Sequence, residues 1–423
     1  MKIVTIVAVL LGTAAALGQG TMDRVAEEYV KLVLAVGQHD TDYVDAYYGP
    51  PEWRKAAESA KVPLADLGKR AADLTATLDK EPPPGDELAR LRLQYLKRQV
   101  ASASARIRML GGERLSFDDE SKALYDAVAP SLPESHFVEV LAQLEKRFPG
   151  EGSLVDRYDT WRRSFVIPKE KLDQVFKTAI AACRERTLQH LTLPAEESFT
   201  VEYVTGKSWS GYNWYQGGYR SLIQVNTDLP VYIDRAIDLA CHEGYPGHHV
   251  YNALLEKHLV KDRGWKEFTV YPLFSPQSLI AEGTANYGIA VAFPGGERVA
   301  YERKVLFPAA GLDPARAAEY YEVQSLVEKL AYAGNEAARR YLNKEIDAAQ
   351  AAAWLEKYAL MPRARAEQRV RFFDQYRSYV INYNLGKDMV AKYIEGKAGK
   401  DAKKRWQEFG QLVSSPRLPS GLR

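Results

Sequence analysis

Ile233-Asp234-Arg235-Ala236-Ile237-Asp238-Leu239-Ala240-Cys241-His242-Glu243-Gly244-Tyr245-Pro246-Gly247-His248-His249 is the stretch on which the reading of this chain turns. Ile233, Ile237 and Cys241 recur at helical spacing, with Ala236 and Ala240 on the neighbouring row. The apolar stripe runs directly into His242-Glu243, which predicts a packed helix that ends in a cluster of polar, ligand-type side chains.

Outward from this stretch the same texture dominates. Between Met22 and Leu191 nearly all apolar residues fall on helical stripes: Val25, Tyr29, Val30, Leu32 and Val33; Leu64, Leu67, Ala71 and Leu74; Leu91, Leu93, Tyr95 and Val100. Turn chemistry interrupts them at Gly49-Pro50-Pro51, Pro82-Pro83-Pro84-Gly85 and Phe148-Pro149-Gly150. Alternation and β-branching predict strands at 199–204 and 221–226, with a glycine- and aromatic-rich stretch from Trp209 to Tyr219 between them. This element is read either as an edge that pairs with an extended peptide or as a hairpin capping the helices. Helices resume after Pro230; one begins at Ser275-Pro276, and three more fill 314–392. No repeat is visible. The expected fold is mainly α, an irregular helical assembly with one small β-sheet beside the helix that carries the histidines.

The 423 residues, 46% of them hydrophobic, suffice for a large core. A net charge of +2 gives no basic stripe for nucleic acid. Lys2, the apolar run 3–17 and the small residues Ala16-Leu17-Gly18 read as a signal peptide over 1–18. The run is too short and alanine-rich for a good membrane span, so a periplasmic or secreted location is expected. The mature chain divides into a helical region 19–196 and a site-bearing region 197–423, expected to form one continuous cleft-containing unit. Cys183 and Cys241 could pair in an exported chain, and Cys241, inside an apolar helical pattern, is read as a small buried core residue.

Three of the seven histidines lie within eight residues, beside Glu, Pro and Gly. Zinc takes about four ligands from His, Cys or carboxylate, and His-Glu-x-x-His supplies two on one helix face, with the Glu as base. Here position i+4 is Pro246, and the next histidines stand at i+6 and i+7. On a regular helix i+6 points about 120° away and i+7 lies about 10 Å along the axis. Pro246 and Gly247 are the residues best able to break that regularity. A two-residue bulge there returns His248 to the i+4 place; the reverse assignment, His249 as ligand, stays open. The other histidine then supports the site or touches substrate. Glu282, in the small-residue helix Ala281-Glu282-Gly283-Thr284-Ala285, is the expected third ligand, since a buried carboxylate requires a partner. Asp238, one turn before His242, is a candidate to fix a ligand's tautomer.

His242 to His249 resembles the bacterial domain of unknown function 885 family, whose motif is His-Glu-x-x-Pro-Gly-His-His. Glu282-Gly283, Tyr383-Asn384-Leu385-Gly386 and Arg417-Leu418-Pro419 resemble further segments of that family, with Thr284 and Asn384 as departures. The family looks like a distant relative of helical zinc carboxypeptidases and other gluzincins. The resemblance implies a Zn2+ site of His242, His248 or His249, and Glu282, with Glu243 as general base. It makes Tyr383 a candidate oxyanion donor and Arg377 a candidate for a substrate carboxylate. The expected activity is hydrolysis of a peptide or small amide. A non-peptide amide or ester substrate, and a non-catalytic helical binding protein, are the alternatives.

Overall fold

The computed structural model describes residues 4–207 and 209–422, with side chains from Gly20 onward. The stretch 1–18 read as a leader therefore lies outside the described side chains, its backbone from Val4 belonging to the helix Val4–Val36. Among the described residues no helix is long and apolar enough to cross a membrane.

The fold is mainly α. The apolar stripes become buried faces: Leu67, Ala71, Leu74 and Leu78 of the helix Leu64–Lys80 are all inside. Polar side chains cap the starts of helices. Asp86 accepts from the amide of Ala89 at the start of Glu87–Leu110, and Asp347 forms a reciprocal capping box with Gln350. The helix Pro276–Ala292 starts at Ser275-Pro276, but Ser275 makes no side-chain cap bond. Residues 19–196 and 197–423 share their cores. One cluster joins Tyr95 and Phe176 to Ile237, Tyr251 and Phe409. Another joins Tyr29, Leu96 and Phe117 to Leu279, Phe373 and Ile381.

The β structure is richer than the sequence reading. Strands β1 (Val44–Tyr47) and β5 (Val270–Pro272) form an antiparallel pair, a second small sheet that was not expected. The three-stranded sheet has the order β2-β4-β3, from β2 (Ser198–Val204), β3 (Gly211–Gly217) and β4 (Arg220–Asn226). The hairpin is β3–β4, turned by Gly217-Gly218-Tyr219 at positive φ, and β2 runs parallel to β4. The glycine- and aromatic-rich stretch thus supplies a strand, with Tyr215 buried and Trp214 exposed as pleating demands.

Helix Pro276–Ala292 runs through the interior and is buried along almost its whole length. It crosses helix Ile381–Ala398 backbone to backbone at Gly283 and Gly386. A Cβ on Gly283 would lie 2.5 Å from the Gly386 carbonyl oxygen, and one on Gly386 would lie 2.8 Å from that of Leu279. This contact brings the 379–383 segment up to Glu282.

Candidate metal centre

The helix of the opening stretch does not reach Pro246 in regular form. After Asp234–Leu239 it widens to a π-type turn over Ala240–Gly244, where the amide of Tyr245 bonds the carbonyl of Ala240 at 3.1 Å. Tyr245-Pro246 is a cis peptide, and a fresh helix, His248–Leu255, starts after Gly247. The amide of Gly247 bonds the carbonyl of Cys241 at 2.9 Å. A Cβ there would sit 1.8 Å from the carbonyl oxygen of His242, so only glycine closes this turn. The irregularity therefore begins earlier than a bulge confined to Pro246-Gly247, and it does what the spacing required. His242 Nε2 and His248 Nε2 are 3.1 Å apart.

Glu282 arrives from its own helix, its Oε2 3.3 Å from His242 Nε2 and 3.8 Å from His248 Nε2. That oxygen is buried and takes no well-directed hydrogen bond from either imidazole. Donors on a tetrahedral zinc with bonds of about 2.0–2.1 Å stand about 3.3 Å from one another. Three donors at that spacing, one of them an orphaned buried carboxylate oxygen, fit such an ion. Tyr379 donates to the other oxygen, Oε1, at 2.8 Å and fixes the carboxylate's orientation.

His248 and Glu282 are held in the forms that bind a cation, whereas the carboxylates around His242 hold it toward its protonated form, which a bound cation would have to displace. Burial, then the charge of His242, lowers His248 to about 4 and leaves it neutral. Burial pushes Glu282 up, but His242, His248 and the Tyr379 hydroxyl outweigh it and hold the group below its ordinary value. Burial pushes His242 down, while Glu282 and Glu243 raise it above its ordinary value. Glu243 is pushed up to about 7, chiefly by burial and, against the opposing pull of His242, by the negative charge of Glu282. A cation among the three donors would draw it back down and favour the base form. The backbone of Glu243 is anchored by Asn213 on β3, whose amide donates to its carbonyl at 2.7 Å.

The triad and Glu243 line a cavity of about 970 Å³, together with Asp45, Tyr212, Tyr376 and Tyr383. The Tyr383 hydroxyl makes no hydrogen bond among the described residues, and burial followed by the charge of Glu282 keeps it protonated. It is thus available as a donor.

Other expected residues lie elsewhere. His249 is fully buried, facing away from the triad, with Ser221 on Nδ1 and Glu197 on Nε2, both at 2.9 Å. A substrate contact is closed to it. It belongs instead to a buried network in which Glu197 also holds Arg184 and Tyr245. Asp238 pairs with Arg298 at 2.8 Å and Arg235 at 3.3 Å and makes no hydrogen bond to a ligand imidazole. Arg377 pairs with Glu120 at 2.7 Å and is not part of the cavity wall. Cys183 and Cys241 form a disulfide, tying helix Leu172–Leu188 to the turn that carries His242. Spacing alone carried no signal for Tyr379 or for Asp45, which comes from β1, accepts from Tyr212 and is raised to about 7 by burial.

No family model and no curated protein matches the chain. Among solved structures it is similar to "the putative lipoprotein from Colwellia psychrerythraea", at 15% identity and a TM-score of 0.48. That match covers 87% of this chain and 70% of the other.

Proposed function

We propose that the chain is a zinc-dependent hydrolase that cleaves peptide bonds, with Glu243 as general base. The observation that carries this reading is the convergence of His242, His248 and Glu282 on one point of a large cavity, beside a carboxyl raised by burial. A bound zinc ion supplies a lowered pKa for a coordinated water and polarises the scissile carbonyl. The chain's own residues do the rest. Glu243 accepts a proton from the attacking water and passes it to the departing amine. Tyr379 holds Glu282 in place, and Tyr383 donates its hydroxyl to the oxygen on which negative charge develops. An exported location suits the leader-like N-terminus and the Cys183–Cys241 disulfide.

The test is metal removal and return. Full-length protein stripped with a chelator and reloaded with zinc is incubated with a mixed-sequence peptide library, and products are read by mass spectrometry. Zinc-dependent cleavage products are expected. No cleavage at any zinc loading would leave a non-peptide amide as the substrate or remove catalysis altogether.

A further inference from the structure

Among the described residues six Lys and Arg side chains line the cavity: Arg162, Arg235, Arg298, Arg365, Arg369 and Lys387. Four have carboxylate partners. Arg298 pairs with Asp238 and Glu302, Arg235 with Asp238, Arg162 with Asp234, and Lys387 with Glu328. Arg365 and Arg369 make no ion pair or side-chain hydrogen bond among the described residues. They stand four residues apart on the helix Arg363–Tyr376, and so on one face, about 6 Å apart along its axis. Both are half-buried.

An unpaired, half-buried guanidinium is costly unless something supplies its counter-charge. Arg369 is steadied over the rings of Phe372, at 4.4 Å, and Tyr383, at 5.8 Å. Stacking satisfies the face of the guanidinium and leaves its N–H edge free for a forked bond to a planar anion. Arg365 makes no such ring contact among the described residues. Burial, and for Arg369 the neighbouring charge of Arg365, hold both below the ordinary guanidinium value, which an incoming anion would reverse. The pair lines the same cavity as His242, Glu243 and Glu282, and the Tyr383 ring that Arg369 covers belongs to that wall as well.

We propose that Arg365 and Arg369 form the subsite that receives a carboxylate of the substrate, so that the chain acts on peptides with a free carboxyl group close to the scissile bond. The peptide part of this statement rests on the hydrolase reading above; the anion subsite does not. A cavity of about 970 Å³ suits a short segment or a chain end.

The test has a binding arm and a cleavage arm, both on the zinc-loaded full chain. Calorimetry compares hippurate with its neutral amide, hippuramide, on wild type, Arg365→Met, Arg369→Met and Arg369→Lys. Hippurate is expected to bind about 10-fold or more tighter than hippuramide, as a charge-assisted pair implies. Each Met variant should lose that preference while keeping its zinc, and Arg369→Lys should retain part of it. Equal binding of the two probes, no hippurate binding, or a preference untouched by both Met variants (the carboxylate then sitting on the metal) overturns the subsite. In the cleavage arm, peptides with free C-termini should be cut faster than the same peptides as C-terminal amides. Rescue of the amides by an internal Asp or Glu would assign the subsite to an acidic side chain, and supports it. Equal cleavage of acids and amides, with or without such residues, overturns the subsite and keeps the hydrolase reading. Hippurate preference without cleavage of any peptide overturns the peptidase reading and keeps the subsite.

Discussion

Glu243→Gln is expected to lower turnover by about 10²–10⁴-fold, the usual contribution of a positioned general base, while leaving zinc close to one per chain. The amide is nearly isosteric but accepts no proton at neutral pH. The loss corresponds to roughly 3–5 kcal/mol of barrier. Zinc should stay because the three converging donors come from His242, His248 and Glu282. The fold should stay as well, because Asn213 grips the backbone carbonyl of residue 243, which the substitution leaves intact. The measurement is metal content by atomic emission beside single-substrate kinetics. Retained turnover with zinc bound would place the base elsewhere, and lost zinc would make Glu243 a ligand.

The paired histidines should separate cleanly. His248→Ala removes one of three donors, and its zinc affinity should fall by more than the about 10–100-fold that a supporting contact costs. His249→Ala removes a group that never faces the ion but is fully buried between Ser221 and Glu197. It should keep zinc and lose about 1–3 kcal/mol of stability, because buried polar partners are left unsatisfied. Zinc titration with a competing chelator, beside denaturant unfolding of the two variants, reads both effects. The opposite pattern, zinc lost with His249 and kept without His248, would reverse the assignment.

The helices and the break in the site helix were legible because their causes are local. Apolar periodicity forms the first, and Pro246-Gly247 signals the second, since a Cβ at residue 247 would collide with the turn it closes. The π-type widening over Ala240–Gly244 was not legible, because it is an answer to packing that no residue in it requires. The same holds for Cys183 and Cys241, which two helices bring together across 58 residues. Strand β3 was hidden by its glycines, whose weak strand preference gives way to pairing with β4. Tyr379 reaches Glu282 only through the crossing of helices at Gly283 and Gly386, and Arg365 and Arg369 reach the cavity on the separate helix Arg363–Tyr376. In the sequence only Arg377 was read as a candidate for a substrate carboxylate, and nothing there singled out Arg369. The structure shows that Arg377 already pairs with Glu120, whereas Arg369 makes ring contacts and no ion pair among the described residues.

His242, His248 and Glu282 are proposed to hold one zinc ion beside Glu243. Anomalous diffraction at the zinc edge, from crystals of zinc-loaded protein, tests it most directly. One strong peak is expected within coordination distance of His242 Nε2, His248 Nε2 and Glu282 Oε2. A peak at His249 and Glu197 instead, or none at the three donors under full zinc loading, would contradict it.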